Sequence, residues 1–172
     1  NLARIRMMLN DREEAEKLLW NATANTPKDT KAIFALADFY YITGDLSKAA
    51  EWYTRGLHIE PDNAPVLAAL GRLHTKAGRE RDADAVFARL AQNPDRRFRY
   101  SHALRLFESG RKDAAIVEFT RLFKETPEDR EARTHLINAY LSLDRYREAE
   151  ELLASAISSN PKDVPALVQR AR

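Results

Sequence analysis

From Thr30 onward the apolar positions recur with helical spacing. Ile33, Leu36, Ala37 and Tyr40 stand at i, i+3, i+4 and i+7, which places one apolar stripe along a helix. Gly44-Asp45 breaks that helix. Ala49, Tyr53, Gly56 and Leu57 then form a second stripe, and Pro61-Asp62-Asn63 ends it and supplies a cap for the next helix. The segment is therefore predicted as a helical hairpin. The same order returns in Leu67, Leu70, Gly71 and His74, then Gly78, Ala83 and Phe87. It returns again in Leu136, Ile137 and Tyr140, then Ala149, Leu153, Ala156 and Ile157.

Prolines at 27, 61, 94, 127 and 161 are 34, 33, 33 and 34 residues apart, a period that marks a solenoid of two-helix units. The predicted hairpins cover approximately 1–29, 30–63, 64–96, 97–129 and 130–163, with 164–172 opening a further first helix. Asn1 already falls inside a first helix, and neither end carries the polar cap of a finished array, so the chain is expected to be a piece of a longer protein. In the fourth unit two registers compete. Gly110 and Ala115 fit one, whereas Tyr100, Ala103, Leu104 and Phe107 make a full stripe in another; the stripe is preferred, with a shortened inner turn.

Small residues recur where helices must approach closely: Ala37 and Gly71 in first helices, and Ala15, Ala49, Ala83, Ala115 and Ala149 in second helices. Leu-Ala/Gly-x-x-Tyr, then Gly, then Ala-x-x-x-Tyr/Phe, then Pro, repeated in phase, resembles the tetratricopeptide repeat over essentially the whole chain. Departures are Ile33 and Leu67 where the family has a first-helix Trp, and Asp144 where Gly is usual. The resemblance implies an all-α, right-handed superhelical solenoid of about five antiparallel helix-turn-helix hairpins. It also implies a concave wall lined by first helices.

Composition narrows the function classes. Five Gly, seven Pro and 44% apolar residues suit helices with short joints and a sizeable core. No run of 18 apolar residues occurs and the first residues lack a signal-peptide pattern, so a soluble chain without membrane insertion is expected. The absence of cysteine excludes disulfides, thiolate metal sites and cysteine nucleophiles, and leaves cytoplasm and periplasm both open. The formal charge of +2 is unevenly placed: residues 72–112 hold 11 Lys/Arg against 5 Asp/Glu, and the flanks are each net −2.

Counting by repeat aligns the exposed first-helix positions in three columns. One reads Arg4, Asp38, Arg72, Arg105 and Asn138; the second Asn1, Phe34, Ala68, Ser101 and Thr134; the third Met7, Tyr41, Thr75, Glu108 and Leu141. Through the resemblance, Arg4, Phe34, Asp38, Tyr41, Arg72, Thr75, Ser101, Arg105, Thr134 and Asn138 become the candidate partner-binding residues of the concave face. Three arginines beside Phe34 and Tyr41 suit an extended acidic peptide, because guanidinium groups take carboxylates bidentately and aromatic faces hold apolar anchors. The competing reading has these arginines solvated or paired with Asp38 and Glu108. Family members that bind chaperone tails carry a Lys and Asn clamp at two of these columns. The pairs here are Phe34/Asp38, Ala68/Arg72, Ser101/Arg105 and Thr134/Asn138, which do not support recognition of that carboxylate.

His102 and His135 are 33 residues apart but have no evident third metal ligand, and His74 stands where the pattern has Tyr. No G-x-S-x-G, phosphate-cradling glycine loop or H-E-x-x-H occurs, so no catalytic residue, cofactor or metal is assigned. Arg96-Arg97-Phe98-Arg99-Tyr100 interleaves cations and aromatics as nucleic-acid contacts do, but the acidic flanks weigh against a long polyanion. The expected function is a non-catalytic protein–protein interaction scaffold. The alternatives are a regulatory or substrate-guiding module of an enzyme whose catalytic domain lies outside these residues, nucleic-acid binding through the basic central hairpins, and self-association through exposed array ends.

Overall fold

The computed structural model describes residues 11–170, which form ten α-helices, one 3-10 turn and no strand. Residues up to Arg99 and from Tyr100 onward make two compact units.

Unit 1 contains α1 (Arg12–Asn25), α2 (Thr30–Thr43), α3 (Leu46–Ile59), α4 (Ala64–Lys76) and α5 (Glu80–Ala91), followed by the 3-10 turn Arg96–Phe98. Polar residues start four of these helices, α1 to α4, by satisfying orphan amides. The side chains of Asp11, Asp29, Asp45 and Asn63 accept from the N–H groups of Glu14, Lys31, Lys48 and Val66. Gly44 and Gly78 take φ of 93° and 69° at the inner turns, a left-handed conformation that glycine adopts without steric cost. The core joins Leu36, Ala37, Phe39 and Tyr40 of α2 to Ala49 and Tyr53 of α3 and to Val66, Ala69, Leu70 and Leu73 of α4. The alanine at the start of each second helix, Ala15, Ala49 or Ala83, is fully buried, which lets neighbouring backbones approach.

Unit 2 contains α6 (Ser101–Glu108), α7 (Lys112–Glu125), α8 (Arg130–Leu141), α9 (Tyr146–Ser159) and α10 (Val164–Arg170). Its main core gathers Tyr100, Ala103, Leu106, Ala115, Ile116, Phe119, Leu122, Leu136 and Ala139, with Leu104 and Phe107 packed against it. The Tyr100–Phe107 stripe therefore faces the core. Gly110, at φ 80°, comes three residues after Phe107, whereas Gly44 and Gly78 come four residues after Tyr40 and His74. The inner turn of this hairpin is one residue shorter. Asp144 takes φ 57° in the place of the usual glycine, a conformation that a short polar side chain tolerates, and its carboxylate accepts from the Tyr146 hydroxyl at 2.8 Å.

Candidate functional site

In unit 1 the column residues lie on α2 and α4, and the second helix α3 contributes from behind them. The ring of Phe34 meets that of Tyr53 at 5.8 Å in a tilted arrangement. The Tyr53 hydroxyl donates to Asp38 at 2.5 Å, and burial together with that bond raises the phenol above its ordinary range. Asp38 is thus committed to Tyr53. Arg72 is exposed and makes no ion pair or hydrogen bond among the described residues, so the pairing with Asp38 weighed from the sequence does not form. Tyr41 is half-buried under the Lys76 ammonium, 4.8 Å from its ring centroid, and Thr75 donates to the Gly71 carbonyl at 3.0 Å. The result is a face with two half-buried aromatics and two exposed cations, Arg72 and Lys76. Lys76 was not among the sequence candidates, although it directly follows Thr75 of the third column.

The corresponding residues of unit 2 are arranged differently. Arg105 is only 5% exposed and engaged within the protein, a departure from the exposed groove position that column counting assigned to it. A cation at that depth is retained only with compensation, so its guanidinium belongs to the packing of unit 2. Ser101 is half-buried. Thr134 donates to the Arg130 carbonyl at 2.8 Å and accepts from Gln169 at 3.1 Å, while Asn138 is exposed. Arg4, with Asn1 and Met7 of the other columns, lies outside the described residues.

The remaining sequence candidates are absorbed locally. Arg97 lies against Asp95 through a bidentate pair and over the Phe98 ring at 5.7 Å, and the Asp95 side chain caps the 3-10 turn. The Tyr100 hydroxyl donates to Asp129 at 2.5 Å. His135 stacks on Phe119 at 5.2 Å and leans on Tyr100 at 5.1 Å, whereas His102 faces Glu118 at 3.9 Å. Among the described residues no group of three metal-ligating side chains occurs. Burial holds the His74 imidazole below its ordinary pKa, Arg79 adds to the effect, and Asp82 opposes it.

Tetratricopeptide repeat models match residues 1–65, 40–105 and 106–171. The chain belongs to the tetratricopeptide repeat family. Membership supports a general role as a protein–protein interaction scaffold. Solved structures with the same all-α helical-repeat solenoid fold include YrrB, described as a TPR protein with an unusual peptide-binding site, at 19% identity and a TM-score of 0.56, covering 99% of this chain and 89% of that one. A tetratricopeptide repeat protein from Parabacteroides merdae aligns at 21% identity and TM-score 0.63 over 98% of this chain and 68% of its own. MamA from Desulfovibrio magneticus aligns at 17% and 0.59 over 95% and 94%. At these identities the likeness concerns the fold. No curated protein sequence matches this tetratricopeptide repeat chain. Among its described residues no helix is long and apolar enough to cross a membrane.

Proposed function

We propose that the chain is a non-catalytic interaction scaffold whose first-helix face in unit 1 holds an extended, acidic segment of a partner protein. The reading rests on Arg72, an exposed guanidinium that makes no ion pair or hydrogen bond among the described residues and that repeat counting puts in line with Phe34 and Tyr41. The aromatics would anchor an apolar side chain, and Arg72 with Lys76 would take carboxylates on either side of it. Asp38 acts as a positioning residue, because it fixes the Tyr53 ring against which Phe34 leans.

A partner captured with the wild-type chain, then titrated at two salt concentrations, tests the reading. Arg72→Ala and Lys76→Ala should each weaken binding by about 1 kcal/mol or less, because both are exposed, and should flatten the salt dependence. Phe34→Ala should lower affinity and leave the salt dependence unchanged. Unaltered affinity in the Arg72→Ala/Lys76→Ala variant, with its fold intact, would move the site off this face.

A further inference from the structure

We propose that a cleft between two second helices of unit 1 is a docking site for a tryptophan side chain of a partner protein. It uses none of the residues of the first-helix face. The cleft, about 580 Å³, lies between α3 and α5 and over α4. That volume lies in the range of ligand sites. Its floor is Leu67 and Leu70 of α4, themselves almost fully buried. Its accessible walls are Leu57 of α3 with Ala85 and Val86 of α5, and Thr54, His58 and Arg89 stand exposed at the rim.

The repeat itself shows what these positions hold elsewhere. One repeat before Val86 comes Trp52, half-buried against the core of unit 1, with the Arg55 guanidinium 4.9 Å from its ring centroid. Arg89 is the counterpart of Arg55 at the same interval. In α5 the arginine is kept and the indole ring is replaced by the much smaller valine. Ala85 departs in the same sense, since its counterparts in α3 and α9 are Glu51 and Glu151. The α5 wall is thus short and uncharged where α3 and α9 carry a carboxylate.

Arg89 is held at the rim: one guanidinium nitrogen donates to the Pro61 carbonyl at 2.6 Å and stands 3.7 Å from the Asp62 carboxylate. It is the one permanently charged residue of the lining, and Asp62 offsets it, so the cleft calls for a neutral occupant. The His58 Nδ1 donates to the Thr54 carbonyl at 2.8 Å, which leaves the Thr54 hydroxyl as an acceptor at the rim. An indole meets these demands together. Its ring buries apolar area against Leu57 and Val86, and its face meets Arg89 as Trp52 meets Arg55. Its N–H finds the Thr54 hydroxyl, the wet partner that an amphipathic ring needs. A tryptophan in such a pocket is the kind of anchor that dominates a protein interface.

The test titrates the whole chain with N-acetyltryptophanamide, N-acetylleucinamide and indole, read by the methyl resonances of Leu57, Leu67 and Val86. The tryptophan amide should shift them saturably, with a dissociation constant on the order of 1 mM, and should bind at least about fivefold more tightly than the leucine amide. Val86→Trp installs the residue of the preceding repeat and should abolish binding by filling the cleft. Ala85→Glu, on an exposed position, should weaken binding at least about fivefold, so the test stands even if Val86→Trp misfolds. Arg89→Gln should weaken the tryptophan amide about two- to fivefold and leave the leucine amide unchanged, since only a ring gains from the cation. Tighter binding of indole than of the tryptophan amide would assign the cleft to a free small molecule and overturn the docking of a side chain. Shifts that do not saturate, equal binding of the two amides, or undiminished binding in Ala85→Glu would each overturn the proposal as well.

Discussion

Replacing Gly71 by alanine tests the packing of α4 on α5. A Cβ at Gly71 would lie 2.8 and 2.9 Å from two ring carbons of Phe87, against about 3.5–4.0 Å for an unstrained carbon pair. The Phe87 ring packs against Ala64, Leu67 and Leu90, so the added methyl can be accommodated only by displacing the ring or separating the helices. Overpacking of this kind costs about 1–3 kcal/mol, and the better helix propensity of alanine returns about 1 kcal/mol. A net loss of about 1 kcal/mol is expected. Gly56 is the internal control. A Cβ there would meet Ile33 at 3.6 Å and Val66 at 3.7 Å, which is ordinary contact, so Gly56→Ala should gain about 0.5–1 kcal/mol. The same chemical change at two helical glycines should thus move stability in opposite directions. Urea unfolding followed by circular dichroism measures the difference. Amide exchange in α4 and α5 is read beside it, because the chain has two compact units and one global transition need not describe both. Adding Phe87→Leu should recover most of the Gly71→Ala loss through coupling between the two sites. A Gly71→Ala midpoint at or above that of the wild type, or strict additivity with Phe87→Leu, would refute the close approach as the reason for glycine.

Ala49→Leu and Ala83→Leu, at fully buried positions, should each destabilise by about 1–3 kcal/mol, while Lys48→Ala should change the unfolding free energy by less than about 0.5 kcal/mol. His74 supplies a pH dependence: its folded pKa is depressed below the ordinary 6.5, so its contribution is fully present above that value and is lost as pH falls through it toward the folded pKa. His74→Tyr, the residue at the matching position of α2 and α8, should flatten that part of the acid unfolding profile; an unchanged profile would place the dependence elsewhere. Finally, α10 is seven residues long, with Val164, Leu167 and Val168 exposed, and its amides should exchange sooner than those of α8 in a hydrogen-exchange time course.

Much of the fold was legible because the repeat states each packing requirement several times. Proline spacing marked the hairpin joints, and the alanines keeping step with it, Ala15, Ala49, Ala83, Ala115 and Ala149, are all buried. A single stripe per helix was too narrow for first helices, however. Phe39, Leu73 and Ala139 lie off the i, i+3, i+4, i+7 pattern and are buried too, because α2, α4 and α8 each pack on their own second helix and on the second helix before them. Such a helix is apolar over two faces, and a moment-like reading finds only one of them. The fourth hairpin shows the opposite case. There the stripe overrode the spacing of Gly110, since a turn can lose a residue at little cost whereas a shifted stripe would turn apolar side chains toward solvent.

The binding face was less legible, because counting by repeat assumes that equal position means equal environment. Arg72 and Arg105 share a column, yet one is exposed and the other is 5% exposed on a helix of only eight residues. The more informative signal was a breach of the core pattern. Arg133 stands where Ile33 and Leu67 pack, and a buried cation there demands a compensating anion nearby. That anion is Asp163, two residues beyond Pro161, at a position where Asp29 and Asn63 cap helices and Asp129 caps one while accepting from the Tyr100 hydroxyl. Read alone, Asp163 is one more helix cap and Arg133 one more arginine in a charged chain. Read together, across 30 residues, they mark the one place among the described hairpins where the position of Ile33 and Leu67 is given to an ion pair. In a repeat protein, where every unit solves the same packing problem, a departure such as Arg133 is best read from the shared element it recruits, here the helix cap Asp163.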